Sequence, residues 1–178
     1  MNRLRRFPSA IVIAAVAFAI SCASASAQNS SAYDDDLPAS LQRQVVFYRT
    51  NEPPGTIIVD TVYRHLYLVQ ENSRAIRYGI GVGPEGFEWQ GLLRVSRKME
   101  WPDGAPDGSR SGGAGNPMGA RALYLGVNPY RINGTNQPRT IGSALPTGCY
   151  LLTNGDVIDL YSRVAVGTKV VVRQKPSL

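Results

Sequence analysis

In the stretch AIRYGIGVG, residues 75–83, large apolar side chains recur at every second position: Ile76, Tyr78, Ile80 and Val82. Arg77 and three glycines fill places between and after them. Successive side chains of an extended strand point to opposite faces, so this period turns one apolar face toward a core. Four further runs carry the same signature: TIIVD (56–60), HLYLV (65–69), ALYLGV (122–127) and TKVVVRQ (168–174). They are rich in β-branched and aromatic residues and bounded by Gly, Pro or Asn. EPPG (52–55) and GPEG (83–86) read as turns. A chain patterned this way is constrained to a mainly β fold.

One segment departs from that period. In DVIDLYSRV (156–164), Val157, Leu160, Tyr161 and Val164 recur at helical spacing, with Asn154 available as the cap. The pattern predicts one helix after Cys149 and then a final strand, with no internal repeat. Trp101–Gly119 is rich in glycine and proline and nearly free of apolar residues, and reads as a long exposed loop. Loops of that length are uncommon inside compact domains and often belong to binding sites; a plain mobile loop is the competing account.

The N-terminus reads as an export signal. Arg3, Arg5 and Arg6 precede the apolar run Ala10–Ile20, and Ala25-Ser26-Ala27 offers a small-x-small cleavage site before Gln28. The apolar run is too short to span a bilayer. Segment 1–27 is therefore expected to be a signal peptide cleaved after Ala27, leaving an exported, periplasmic chain. Lipid on Cys22 is a variant that Ala19-Ile20-Ser21 supports poorly, and membrane contact is expected only through the signal or that lipid. Residues 28–40, with Asp34-Asp35-Asp36, read as a flexible tether, and 41–178 as the folded domain.

The signal carries three arginines and no acids, so its removal lowers the formal charge from +6 to +3. That mild basic excess lacks the clustered stripe expected of a nucleic-acid binder and is compatible with an anionic wall polymer. About 150 residues remain, enough for one domain with a core. One cysteine and one histidine cannot form a zinc site, and no metal or cofactor is implied. Cys149 is left with no disulfide partner. In an oxidising compartment such a thiol is either buried and inert or put to use, and both readings stand.

Three motifs are discounted. GVGPEG (81–86) matches G-x-G-x-x-G, but the dinucleotide fingerprint must open a helix, and Pro84 with the following FEWQG is expected to start none. Asn133-Gly134-Thr135 fits the glycosylation pattern N-x-T, a coincidence beside a bacterial-looking signal. His65, the single histidine, lies beside Leu66 in a strand-like run. It reads as facing solvent or a neighbour, not as a catalytic base.

From about Pro54 to Arg173 the chain resembles the L,D-transpeptidase catalytic domain of the YkuD type. The resemblance is carried by PGTIIVDTVYRHLYLV, IRYGIGVGPEGFEWQG, RKMEWPD, NPMGARALYLG, YRINGTNQPRTIG and TGCYLLTNGDVIDLYSRVAVGTKVVV, in that order and spacing. It implies a β-sandwich-like domain with one helix following the cysteine motif. It also implies cysteine-dependent acyl transfer on the stem peptides of peptidoglycan, with release of a terminal D-alanine and transfer to a second amine in cell-wall cross-linking. β-Lactams such as carbapenems are implied as covalent ligands. By position, Cys149 falls on the nucleophile, the backbone N–H groups of Gly148 and Cys149 on the oxyanion hole, and Thr147 beside the substrate. Such a donor is worth about 2.7–4 kcal/mol toward a tetrahedral intermediate.

Departures from the family pattern concentrate at this site. Where the family reads isoleucine-histidine-glycine-threonine, the chain has Ile132-Asn133-Gly134-Thr135. Leu151 stands where the family carries an arginine, and Pro146 where it carries a serine. The stretch from Trp101 to Asn116 is shorter than in relatives. An amide cannot shuttle a proton near neutral pH, and leucine removes a fork of donors suited to a carboxylate. The expectation is an intact fold with weak transpeptidation, or a catalytically inactive relative that binds wall peptides or a partner protein through the same cleft.

Overall fold

The computed structural model describes residues 37–84, 89–102, 116–127, 130–146 and 150–174. The proposed signal segment, residues 28–36 of the tether, the bulk of the 101–119 loop, and Thr147, Gly148 and Cys149 lie outside the described residues.

Among the described residues ten strands form one sheet: β1 Gln44–Phe47, β2 Ile57–Asp60, β3 His65–Gln70, β4 Arg74–Gly79, β5 Gly81–Val82, β6 Gly91–Glu100, β7 Arg121–Leu125, β8 Arg131–Asn133, β9 Tyr150–Leu151 and β10 Lys169–Arg173. Their order is β1-β4-β3-β2-β10-β6-β7-β8-β9-β5. The ten-residue strand β6 serves two neighbours. Its first half pairs antiparallel with β10 (Lys169 opposite Arg94), and its second half pairs with β7 after a register shift between Val95 and Arg97. Such a bulge bends a strand and sharpens its twist. The sheet thereby divides into two leaves, and only Ile80 separates β4 in the first leaf from β5 at the far edge of the second.

The core lies where the leaves face each other. Ile57, Leu66, Tyr78 and Val170 from one leaf, and Leu123, Leu125, Ile132 and Tyr150 from the other, join one apolar cluster with Ile80 and Val82. The period-two reading of residues 76–82 is met, with all four apolar positions in that core. Helix α1, Asn154–Arg163, adds Val157 and Leu160 to it.

Two local expectations change. The cap of α1 is Thr153, whose side-chain oxygen accepts from the Asp156 N–H at 3.1 Å, and not Asn154. Asn154 is instead the first helical residue, drawn into a tertiary contact. Pro84 takes up helical backbone, against the turn expected there. Residues 85–88 lie outside the described residues. At the N-terminal end, Leu37 is already buried at 8 % exposure, ahead of the expected domain start.

Candidate functional site

Strand β8 is short, and both of its edges are occupied. It pairs antiparallel with β7, Ala122 opposite Asn133, and parallel with β9, Ile132 opposite Tyr150 and Asn133 opposite Leu151. The Leu152 N–H donates to the Asn133 carbonyl at 2.9 Å, and the Gly134 N–H donates to the Arg121 carbonyl at 3.1 Å. The residue that follows Cys149 in the chain is therefore registered against the residue that precedes Asn133. Eighteen positions of sequence, from 132 to 150, are bridged by one strand pairing.

Asn133 is 2 % exposed. Its side-chain Nδ2 donates to the Gly134 carbonyl at 2.8 Å and to the Met118 carbonyl at 3.5 Å. Two carbonyls on one side fix which end of the amide is nitrogen. The other end, Oδ1, is buried with no hydrogen-bond partner among the described residues. Buried polar atoms are overwhelmingly partnered in native proteins, so this acceptor stands out. Its burial also removes Asn133 from consideration as a glycan acceptor.

Close backbone packing holds this corner. Gly119, at φ +67°, has no room for a Cβ, which would collide with the backbone of Gly134. A Cβ on Gly134 would come within 2.5 Å of Asn154 Oδ1 and 3.1 Å of the Ala120 nitrogen. Asn154 Oδ1 accepts the Ala120 N–H at 2.8 Å, tying the start of α1 to the strand beside Asn133. Thr135 is buried, its hydroxyl oxygen accepting the Gln137 N–H at 3.0 Å. Asn116 is also buried. Its Nδ2 donates to the Pro102 carbonyl at 2.8 Å, and its Oδ1 accepts the Met118 N–H at 2.9 Å. The two ends of the 103–115 segment are thus fastened together next to the site.

Of the residues singled out in the sequence, Asn133, Gly134, Thr135 and Leu151 come together here; Thr147, Gly148 and Cys149 lie outside the described residues. Leu151 is half-buried between Asn133 on β8 and Gly81 on β5. An open pocket of about 410 Å3 lies over the following segment, lined by Asn136, Gln137, Pro138, Arg139 and Thr140. His65 belongs to the other leaf. Its Nε2 is 2.9 Å from the Ser40 carbonyl, and burial, aided by Arg77, holds its pKa below the usual value despite that hydrogen bond and Asp60. Sequence reasoning missed Asn116, Met118 and the Asn154 tie, which depend on contacts between distant segments.

Comparison with known proteins agrees with this architecture. The family model of the L,D-transpeptidase catalytic domain, YkuD, matches residues 54–172. A probable L,D-transpeptidase ErfK/SrfK of Escherichia coli K12 is 32 % identical over 140 residues, covering 67 % of this chain and 44 % of that protein. A putative L,D-transpeptidase YkuD of Bacillus subtilis is 42 % identical over 66 residues, covering 37 % of this chain and 40 % of that one. The chain spans less than half the length of these curated relatives. Among solved structures, L,D-transpeptidase 3 from Mycobacterium tuberculosis with a faropenem-derived adduct superposes with a TM-score of 0.54 at 16 % identity, over 69 % of this chain and 61 % of that one. At that identity the likeness concerns the fold. Strand order, the β8–β9 corner and the family match over most of the chain lead to one assignment: the protein belongs to the YkuD-type L,D-transpeptidase catalytic domain family.

Proposed function

We propose that the protein acts on the stem peptides of peptidoglycan through Cys149, as an exported member of the family with weakened acyl transfer. In this reading the Cys149 thiolate attacks a stem-peptide carbonyl, a thioester forms, and the amine leaves with a proton. A second amine then takes the acyl group and releases the thiol. The observation that carries the reading is the state of Asn133. Asn133 pairs with β9, the strand that follows Cys149 in the chain, and its Oδ1 can accept a hydrogen bond without accepting a proton.

The weakening follows from the proton balance. A thiol of ordinary pKa, about 8.5, is only a few per cent thiolate near pH 7. An amide leaving group must also be protonated as it departs. General acid–base assistance is worth about 10²–10⁴-fold, and the positions registered around Asn133 on its face supply neither a carboxylate nor an imidazole. Strained acyl donors escape the second demand, since opening a β-lactam ring does not depend on expelling a poor amine. A solved relative carries a faropenem-derived adduct and another an avibactam-derived carbamoyl group. Those precedents make a carbapenem the sensible probe.

Intact-mass spectrometry after incubation with a carbapenem tests the nucleophile. A single adduct, absent in Cys149→Ser, is expected; an unmodified wild-type mass after prolonged incubation would sink the reading. A second reading, a binding protein without turnover, is favoured by one feature. Asn133 Nδ2 is committed to two main-chain carbonyls, as in a structural amide. It predicts that Cys149→Ser binds stem peptides as tightly as the wild type and that neither forms an acyl-enzyme.

A further inference from the structure

Ile132 points into the core. Arg131 and Asn133, on either side of it, therefore share the opposite face of β8. Register carries that face across the leaf: Leu151 on β9, Ala122 and Tyr124 on β7, Met99 and Arg97 on β6. Lys98, between the last two, reaches the Tyr161 and Val164 carbonyls of α1 at 2.7 Å each, so its neighbours point away from the helix. On this outer face Tyr124 stands between two arginines on adjoining strands. The Arg97 guanidinium lies 4.1 Å from the Tyr124 ring centroid. Arg131, opposite Tyr124 on the other side, is half-buried, and its Nε is buried with no acceptor.

No ion pair or hydrogen bond from the Arg131 side chain is found among the described residues. The carboxylates found in salt bridges are engaged elsewhere: Glu100 with Arg121, Glu52 with Lys169, and Asp156 and Asp159 with Arg43 and Arg163. A guanidinium with a desolvated N–H and no anion beside it is an unfinished hydrogen-bonding site.

We propose that Arg131, with Arg97 beyond Tyr124, forms a carboxylate-binding subsite that orients an acidic peptide across Asn133. The proposal rests on the peptide-binding reading above and adds the chemistry of recognition. A guanidinium presents a planar fork that matches a carboxylate with two parallel hydrogen bonds. Arg131 lies about 7 Å from Asn133 along the strand, the span of two extended residues. The carboxylate held there therefore sits within about two residues of the group that meets Asn133 Oδ1. The cation over Tyr124 adds a second positive charge on the same face and leaves the tyrosine ring as its floor.

The test measures equilibrium binding by the full chain of a stem tetrapeptide with free carboxylates and of the same peptide as its carboxamides. The wild type is expected to bind the acid about tenfold more tightly, as charge-assisted hydrogen bonds are stronger than neutral ones. Arg131→Gln should remove that advantage while leaving carboxamide affinity in place; Arg131→Lys should restore part of it, and Arg97→Gln should reduce it. Thermal melts check folding, and if Arg131→Gln does not fold, Arg131→Lys and Arg97→Gln carry the test. An acid preference undiminished in the folded arginine variants overturns the subsite, as does a wild type that binds both peptides equally. A wild type that binds neither peptide fails the peptide-binding reading itself. A carbapenem, whose carboxylate is the other source of this anion, separates the ligands. Slower adduct formation in Arg131→Gln would mean the subsite serves both; unchanged adduct formation with lost peptide preference would assign it to the peptide alone.

Discussion

An amide at position 133 offers an entering ligand an acceptor and withholds a proton acceptor, and this difference decides what chemistry is left. Restoring the family residues by Asn133→His with Leu151→Arg is expected to raise stem-peptide turnover by about 10²–10⁴-fold, the usual worth of acid–base help, as read by muropeptide chromatography. No gain would mean that the weakness lies elsewhere in the cleft. Asn154 is the other decisive residue at this scale. Its Oδ1 takes the Ala120 N–H at 2.8 Å beside the crowded Gly119–Gly134 contact. Asn154→Ala should lower stability by about 1–3 kcal/mol in urea titrations, the cost of leaving a buried donor unsatisfied. Much of this corner was legible in advance. Asn133, Gly134, Thr135 and Leu151 were all marked from sequence as one site, and strand pairing brings them together. The Asn154 tie was not, because a polar residue before an apolar helical pattern signals a cap, and its real partner lies 34 positions upstream.

Among the elements, α1 has its two ends fixed differently. Thr153 closes the N-terminus through the Asp156 N–H. At the C-terminus Lys98, from β6, donates to the Tyr161 and Val164 carbonyls and lies 4.0 Å from the Tyr161 ring centroid. A cation there complements the negative end of the helix. Thr153→Ala is expected to destabilise the fold by about 1 kcal/mol, the typical worth of such a cap, measured by chemical denaturation. The helix was readable because Val157, Leu160 and Val164 repeat at its period, and the strands because β-branched runs alternate. The cap was misplaced by one residue, since Thr and Asn are both good caps and only the φ and ψ of Thr153 decide between them. The bend in β6 had no local signal. It follows from a register shift between two partners that the strand itself does not encode.

Across the whole molecule, one polar network joins the first leaf to the helix. The buried Tyr78 hydroxyl donates to Asp159 Oδ2 at 2.7 Å, and Arg163 holds both oxygens of that carboxylate at 2.9 Å. Arg43 stands 3.6 Å from both Asp156 and Asp159. Burial alone would raise the Asp159 pKa; the hydrogen bonds from Arg163 and Tyr78 and the charge of Arg43 outweigh it and hold the group below its ordinary 3.8. Burial, reinforced by Asp159, pushes the Tyr78 phenol upward, so it stays protonated and keeps donating. A carboxyl whose folded pKa is depressed contributes stability that is complete above its unfolded value and is lost as pH falls through the folded one. Denaturation at a series of pH values below 3.8 should therefore show stability falling in the wild type, with a shallower slope in Asp159→Asn. An identical slope in the variant would place the acid sensitivity elsewhere.

The central place of β10 has a kinetic side. It lies between β2, 112 positions away through the Thr61–Arg173 contact, and β6, and it follows every other described strand in sequence. The first leaf cannot be joined to β6 while Lys169–Arg173 is still being synthesised, so β2 keeps one edge unpaired until β10 is free to insert. A ribosome-bound intermediate ending before Lys169 should remain sensitive to protease across β2, and resistance there should appear in one step once β10 has emerged.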